Sequence, residues 1–580
     1  MFTKLLIANR GEIAVRVIRA CRDLGISPVA VYSELDADAL HVELADEAYN
    51  IGPGPASASY LDITSVLEAA RRSGAQAVHP GYGFLAENAA FARAVSDAGM
   101  AWVGPEASVI ASMGDKTSAR RAAAEAGVEC VPGTLEPVKE ASEVRAFCDQ
   151  HGLPVAIKAA AGGGGKGFRV VRSARDIPEA LAGAAREAQA YFSSGDVYLE
   201  RYLERPRHIE VQVLGDASGA ILSFPERDCS LQRRHQKLLE ESPSPALEED
   251  TRRAIMEAAA KVSKQVGYRN AGTCEFLLER DGKSFYFLEM NTRLQVEHPV
   301  TELVCGVDLV TAQILVAGGE PLGFDQDDIA LSGHAIECRI NAEDPALGFM
   351  PAPGLISTYR EPGGPGIRVD SGARAGAAVP AAYDPLIAKL IAHGSTRPQA
   401  IARMARAVEE FHISGIMTTL EWHRGALADE RFLTGAYDTA TVEHDMEPGA
   451  PSLHDLSKSF DADDGAAVRR FGIEIDGKRF AVVTREHSSG GRRLSKPTRP
   501  QTGGNVGANA SDVLTAPMQG TIIKLLVTTG DEVKAGQSVC VLEAMKMENS
   551  ILTHRDGIVG ELRVAEGQSV EPGAVIAVIN

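Results

Sequence analysis

Arg293, Gln295 and Glu297 stand two residues apart in the stretch Asn291-Thr292-Arg293-Leu294-Gln295-Val296-Glu297-His298-Pro299. If the backbone there is extended, alternation turns all three to one face. A guanidinium fork, an amide and a carboxylate converging on one point could hold a small planar anion and take a proton from it. On spacing alone the triplet is equally a polar strand face. Just upstream, Glu275-Phe276-Leu277-Leu278 and Phe285-Tyr286-Phe287-Leu288-Glu289 read as two strands joined by a turn around Asp281-Gly282. A hairpin centred on Gly282 sets Glu275 opposite Glu289. Facing carboxylates at roughly 4.5–5.5 Å repel unless a cation lies between them. Mg²⁺ takes one or two carboxylates plus substrate phosphates, which suits the pair. Two solvated glutamates on an edge hairpin are the plain alternative.

A third candidate is Ala156-Ile157-Lys158-Ala159-Ala160-Ala161, followed by Gly162, Gly163, Gly164, Gly165, Lys166 and Gly167. Consecutive glycines let backbone N–H groups close around phosphate oxygens where a Cβ would block the approach. The run fits neither GxxxxGK[ST] nor GxGxxG, so neither a Walker A loop nor a dinucleotide fingerprint is supported, and a surface loop stays open. The fourth candidate is Lys546, between Met545 and Met547 in Glu543–Asn549. Exposed methionines at a loop tip mark a surface that another protein grips. A lysine so displayed suits enzymatic acylation into an amide.

The elements that must carry these groups are legible in outline. Leu5–Ala8, Val29–Tyr32 and Ala77–Val78 are strands separated by helical patterns, which implies a doubly wound parallel sheet over residues 1–114. Mixed α/β patterning continues to about residue 445. Residues 446–484 end in the hairpin pattern FGIEIDGKRFAVV, with Asp476-Gly477 as its turn, and no function attaches to them. Residues 485–511 are rich in Gly, Ser and Pro, the composition of a flexible tether. In residues 512–580, Gly520, Val527, Gly530, Val533, Gly536, Val539 and Val541 recur at a constant offset as Gly557, Val564, Gly567, Val570, Gly573, Ile576 and Val578. Two such halves make a small quasi-symmetric β-sandwich, with Glu543–Asn549 in the connection between them.

Composition bounds the function. A formal charge of −19 opposes a nucleic-acid scaffold. The eight cysteines lie singly, with no CxxC spacing, which suits a reducing compartment. The N-terminal apolar run is short and no window approaches about 18 apolar residues, so the expectation is a cytoplasmic protein that does not enter the membrane.

The Ala516-Pro517-Met518 and Glu543-Ala544-Met545-Lys546-Met547 motifs resemble the biotinyl domain of biotin-dependent carboxylases. In the related lipoyl domains the lysine follows an aspartate. The remainder resembles biotin carboxylase, an ATP-grasp enzyme. The motifs run in order: Leu6–Ala14, His79–Leu85, Met113–Lys116, Arg227–Lys237 and Ile336–Asp344. Together the chain resembles the α subunit of an acyl-CoA carboxylase of the acetyl- or propionyl-CoA type. The implied fold is multidomain α/β: an N-terminal domain over 1–114, an ATP-grasp domain with a glycine-rich lid over 115–332, and a C-terminal α+β domain over 333–445. An all-β biotinyl domain follows over 512–580.

Roles follow from the resemblance. Lys116, Lys158 and the glycines Gly163, Gly164, Gly165 and Gly167 would contact ATP phosphates. Glu200, Arg201, Tyr202 and Leu203 would meet the adenine, with His208, Gln232 and His235 as further nucleotide contacts. Glu275, Glu289 and Asn291 would hold Mg²⁺ or Mn²⁺. Bicarbonate would rest on Arg293, Gln295 and the Val296 amide, with Glu297 as base. Lys237 would hold carboxyphosphate, Arg339 would stabilise the biotin enolate, and Lys546 would carry biotin. Implied partners are a biotin protein ligase, a second copy of the carboxylase, and a separate carboxyltransferase β subunit, since no such domain fits the chain. The alternatives are the biotin-carrying subunit of a methylcrotonyl-CoA, pyruvate or urea carboxylase, or a non-catalytic carrier.

Overall fold

The computed structural model describes all residues other than 135, 161–166, 193, 217, 447–467, 476–477, 486–512, 518–519, 545–546 and 571–572. One compact unit spans Met1–Gly449, and a second takes in most of the chain beyond it. Among the described residues, no single helix is long and apolar enough to cross a membrane.

The first unit opens with a five-stranded parallel sheet. Its order is Glu47–Asn50, Ser27–Tyr32, Lys4–Ile7, Ala77–His79, Ala101–Trp102, so the chain winds outward in both directions from Lys4–Ile7. Such a sheet has its ligand crevice where the strand order reverses, beyond the carboxyl ends of the first and fourth strands. Here that crevice is tied shut at its base. Asn9 Nδ2 donates to the carbonyls of Pro80 at 2.7 Å and Tyr82 at 2.8 Å. Gly81, at φ +64°, has no room for a side chain, because a Cβ there would lie 2.8 Å from Asn9 Nδ2. Arg10 pairs with Asp36 at 2.6 Å and covers the Tyr383 ring at 4.4 Å, joining this sheet to a distant part of the chain.

The larger sheet has nine strands and is antiparallel. Its order runs Phe285–Asn291, Asn270–Leu278, Arg207–Gly215, Arg227–Arg233, Gln236–Ser242, His334–Asn341, Leu386–Gly394, Ile367–Ser371, with Ile221–Ser223 added beside Arg207–Gly215. Strands Gln236–Ser242 and His334–Asn341 pair directly, from Leu239↔Cys338 to Ser242↔Ala335. The sheet is therefore continuous across residues 332/333. Alternation sorts its faces: Ile209, Val211 and Val213 enter the apolar core, while His208, Glu210 and Gln212 leave from the other side. A small three-stranded sheet, Arg169–Val171, Val155–Ala159 and Val197–Arg201, stands apart on its own core, which helices Ala141–His151 and Ile177–Phe192 complete.

In the second unit, strands Val468–Ile475 and Lys478–Arg485 form an antiparallel hairpin in the register Ile475↔Lys478, and Asp476-Gly477 lies outside the described residues. Two four-stranded sheets follow, and the internal repeat explains them. Gly520 pairs with Val570 while Val533 pairs with Gly557, so each half contributes the same pair of positions to the other's sheet. Strands Ser538–Ala544 and Met547–Leu552 are neighbours that flank Met545-Lys546, which itself lies outside the described residues.

Candidate active site

The polar face of the larger sheet gathers most of the expected residues. Glu275 and Glu289 are cross-strand partners, as expected, but through a bulge: the inner pairs Leu278↔Phe285 to Phe276↔Phe287 alone would set Glu275 opposite Leu288. Glu275 is buried, whereas the Glu289 side chain keeps 35% exposure and lies 3.8 Å from Lys116 Nζ. Asn291 Nδ2 donates to Glu275 Oε1 at 2.8 Å, Gln295 Nε2 donates to the same oxygen at 2.9 Å, and His208 Nε2 lies 3.1 Å from Oε2. Burial opposes a charge on His208, but Glu275 beside it more than compensates and raises the imidazole.

Lys237 is the hub. Its ammonium donates to Glu210 at 2.6 Å, Glu297 at 2.7 Å and Glu275 at 3.1 Å. Burial pulls its pKa down, but the three carboxylates push it well above the usual lysine value. Glu297 is gripped on its other side by Arg339 Nη2 at 2.8 Å, and Arg339 Nε donates to Glu240 at 2.5 Å. Burial would raise the Glu297 and Glu275 carboxyls, yet both lie well below the ordinary carboxylate range: Lys237 acts on each, with Arg339 and Arg227 on Glu297 and His208 on Glu275.

Two acidic groupings here have ligand spacing for a cation, His208–Glu210–Glu275 and Glu210–Cys229–Glu297. The Lys237 ammonium already serves the carboxylates of both. The all-oxygen set Glu275, Glu289 and Asn291 fits a hard divalent ion better, since it adds Glu289, which Lys237 does not serve and which is partly exposed, and Lys237 and His208 hold the Glu275 carboxyl low against its burial.

The stretch Arg293–Glu297 differs from the expectation of an extended backbone. The strand ends at Asn291, and the chain bends and turns into helix His298–Cys305. Gln295 and Glu297 still reach the cluster, while Arg293 turns to Glu87 of the N-terminal region, donating from Nε at 2.9 Å. Val296 offers its carbonyl to the buried Lys389 at 3.0 Å. Arg16 of the first helix is buried against Glu302 at 3.0 Å and Asp308 at 2.7 Å, while Arg19, one turn on, is exposed.

The nucleotide candidates lie along the same edge. Lys158 pairs with Glu200, which also accepts from Arg120 at 2.6 Å. Lys116 contributes to the low pKa of Glu200. His235, at positive φ in the tight turn after Arg233, senses Lys158, His208 and Lys116 electrostatically, so these four lie in one neighbourhood. Gln232 Nε2 approaches His208 Nδ1 at 3.5 Å. Leu203 is buried, Tyr202 is half-buried near Phe168 with ring centroids 6.4 Å apart, and the Arg201 side chain turns to Glu279 and Tyr286. Gly167 packs on Ala159, whose N–H donates to its carbonyl at 3.0 Å; Gly163, Gly164, Gly165 and Lys546 lie outside the described residues.

Reading single motifs misses Glu210, Glu87 and Lys389. Glu210 had a signal: His208, Glu210 and Gln212 alternate through an otherwise apolar strand. The strand context of Glu87 and Lys389 carries no such mark.

The family profiles that match are "Biotin carboxylase, N-terminal domain" over residues 1–110 and "Carbamoyl-phosphate synthase L chain, ATP binding domain" over 115–324. "Biotin carboxylase C-terminal domain" matches 337–444 and "Biotin-requiring enzyme" matches 512–579. A biotin-dependent acyl-coenzyme A carboxylase alpha3 subunit of Mycobacterium leprae is 47% identical over 99% of this chain and 98% of its own length. Biotin carboxylase 1 of Bacillus subtilis is 52% identical over 76% of this chain and 98% of its own. A crystal structure of a biotin carboxylase–ATP complex from Campylobacter jejuni matches with a TM-score of 0.74 at 44% identity, covering 76% of this chain and 99% of that one. The biotin carboxylase domain dimer of the Hydrogenobacter thermophilus 2-oxoglutarate carboxylase, with MgADP, ADP and bicarbonate, gives 0.74 at 46% identity over 77% and 98%.

Proposed function

Because the chain belongs to the biotin-dependent carboxylases, as a biotin carboxylase fused to a biotin carrier domain, we propose that it uses ATP and bicarbonate to carboxylate biotin on its own Lys546. We further propose that the carboxyl group passes to an acyl-CoA, of the acetyl- or propionyl-CoA class, on a separate carboxyltransferase subunit. The observation that carries the first part is the buried cradle in which Lys237 and Arg339 grip Glu297 from two sides. In the absence of substrate Glu297 is a weak base, because two cations stabilise its charge. A bicarbonate seated by Arg293, Gln295 and the Val296 amide competes for those cations. Its arrival frees the Glu297 carboxylate to take the proton and leave the anion nucleophilic.

Arg293 is held for that seat by Glu87 and Asn291, and Gln295 by Glu275 and Arg227. Lys116, Lys158 and the 163–167 glycines would meet the phosphates, with Glu200, Arg201, Tyr202 and Leu203 beside the base and His208, Gln232 and His235 along the nucleotide. Glu275, Glu289 and Asn291 would hold Mg²⁺, which supplies neutralisation of charge on the transferred phosphoryl group. Biotin supplies the ureido nitrogen that receives the carboxyl group. Arg339 offers the guanidinium that meets negative charge there, and Lys237 holds the phosphorylated anion before transfer.

A separate acyl-CoA subunit is supported by the likeness along the full chain to a protein named as an α subunit. The relationship to an acyl-CoA carboxylase α subunit along the full chain supports the acceptor class. The test is carboxylation of free biotin by the purified chain with ATP and bicarbonate, then an acyl-CoA panel after co-purification with its partner. Absence of bicarbonate-dependent ATP cleavage sinks the first part; a partner that carboxylates pyruvate but no acyl-CoA sinks the second.

A further inference from the structure

Behind Arg339 lies a pair of carboxyl groups that the chemistry above does not use. Glu240 and Glu337 are direct cross-strand partners, so both side chains leave the same face of the sheet, with Cβ atoms roughly 4.5–5.5 Å apart. Both are fully buried. Glu240 Oε1 accepts from Arg339 Nε at 2.5 Å. Glu240 Oε2 and both oxygens of Glu337 find no hydrogen-bond partner among the described residues. Two ionised carboxylates so placed would leave three lone-pair-bearing oxygens buried without a donor and would repel each other. One proton between them ends the repulsion and joins two of the three oxygens in a hydrogen bond.

The surroundings supply no second cation bonded to the pair. Lys389, the cross-strand partner of Arg339, is engaged by the Val296 carbonyl and lies 3.2 Å from Glu12. Lys237 on the Glu240 strand serves Glu210, Glu275 and Glu297. Helix His298–Cys305 packs on this face through Val300 and Val304 against Ala335 and Ile391. Of its titratable groups, His298 places Nδ1 on the Gln295 carbonyl, Glu302 pairs with Arg16 and Arg368, and burial pushes the Cys305 thiol up to about 12. Glu297 faces the pair across Arg339, and the Cys229 and Cys338 thiols are pushed up by burial. Burial raises the Glu240 carboxyl to about 7 against the partial relief of Arg339, and raises Glu337 well above the ordinary range against the partial relief of the nearby Lys389 charge, with the charge of Glu240 adding.

We propose that Glu240 and Glu337 share one proton and that this pair is a positioning device that keeps Arg339 aimed at Glu297 and the anion seat. It rests on the reading of Arg339 as the group that meets biotin. With one proton the pair carries a single negative charge, matched by one guanidinium. Loss of that proton to solvent doubles the charge on the sheet side of Arg339 and draws the guanidinium away from Glu297. Biotin carboxylation therefore falls as pH rises through the upper apparent pKa of the pair.

The experiment follows carboxylation of free biotin by the full-length chain and by E337Q from about pH 6.5 to about pH 9.5, with the infrared spectrum of each recorded at neutral pH. Wild type is expected to lose kcat/KM for biotin on the alkaline side, tending toward about tenfold per pH unit. E337Q, neutral at every pH, is expected to stay within about threefold of wild type near pH 7 and to lack that decline. The buried protonated-carboxyl stretch is expected to be weaker in E337Q than in wild type, above what the buried Glu12 and Glu343 carboxyls, both pushed up to about 7, give in each. An unchanged alkaline limb in E337Q, or a band no stronger in wild type, overturns the proposal. Should E337Q not fold, the wild-type band is followed with pH: loss of absorption along the alkaline limb is expected, and a band that does not change over that range overturns the proposal. A wild type without bicarbonate-dependent ATP cleavage at any pH overturns the carboxylase reading instead, and the infrared result still judges the pair.

Discussion

Replacing Lys237 by Met removes one ammonium from three buried carboxylates while keeping the length of the side chain. The carboxylates of Glu210, Glu297 and Glu275 lie 2.6, 2.7 and 3.1 Å from that nitrogen. Breaking a buried pair by removing one partner costs about 3–5 kcal/mol. Each carboxylate here keeps another donor: Arg227 for Glu210, Arg339 for Glu297, and Asn291 with Gln295 for Glu275. The low end, about 3 kcal/mol at neutral pH, is therefore expected. The pH dependence follows from the pKa shifts. Glu275 and Glu297 are depressed in the folded wild type, so their contribution is present above about pH 4.5 and lost only as pH falls through the lower folded values. Without Lys237 their strongest counterweight is gone, burial prevails, and the carboxyls take up protons on mild acidification. The variant's deficit should then shrink by about 1 kcal/mol or more between about pH 7 and about pH 5. Both tryptophans, Trp102 and Trp422, belong to the first unit, so their fluorescence follows its denaturant unfolding. A deficit that is absent at neutral pH, or equal at both pH values, refutes the hub.

Glu297→Gln is expected to lower bicarbonate-dependent ATP cleavage by about 10²–10⁴, the range of a positioned general base, with nucleotide affinity little changed by titration. Lys546→Arg should abolish avidin-detectable labelling and leave carboxylation of free biotin measurable, because free biotin needs no lysine to carry it. Gly167→Val should raise the KM for ATP. Gly167 has φ +67°, and a Cβ there would lie 2.8 Å from that of Ala159, so the end of the glycine run must shift; an unchanged KM would place the loop away from the phosphates.

Where the sequence was read correctly, the determinants were local. The turn at Asp281-Gly282 closes a local hairpin in the register Leu278↔Phe285 to Phe276↔Phe287, and a one-residue bulge next to it brings Glu275 opposite Glu289. The carrier repeat works in the same way, since equal glycine and valine positions in each half make equivalent strands. Strand–helix alternation was sufficient for the first parallel sheet, because βαβ connections leave few topologies.

What escaped was decided by groups far apart in the chain. Alternation at Arg293, Gln295 and Glu297 predicts one face, but the strand stops at Asn291, and Glu87 and Lys389 hold the bend that follows. The burial of Arg16 depends on Glu302 and Asp308, nearly 300 residues away in the chain, lying against it. The continuity of the large sheet through Gln236–Ser242 and His334–Asn341 brings Glu240 to Glu337 and Arg339 to Glu297. The sequence by itself determined which chemical groups are present, the hairpin that opposes two glutamates and the repeat that builds the carrier. Only the tertiary structure decided which cation meets which carboxylate, because in a buried cluster ionisation is set by partners a few ångströms away in space and tens to hundreds of residues away in the chain.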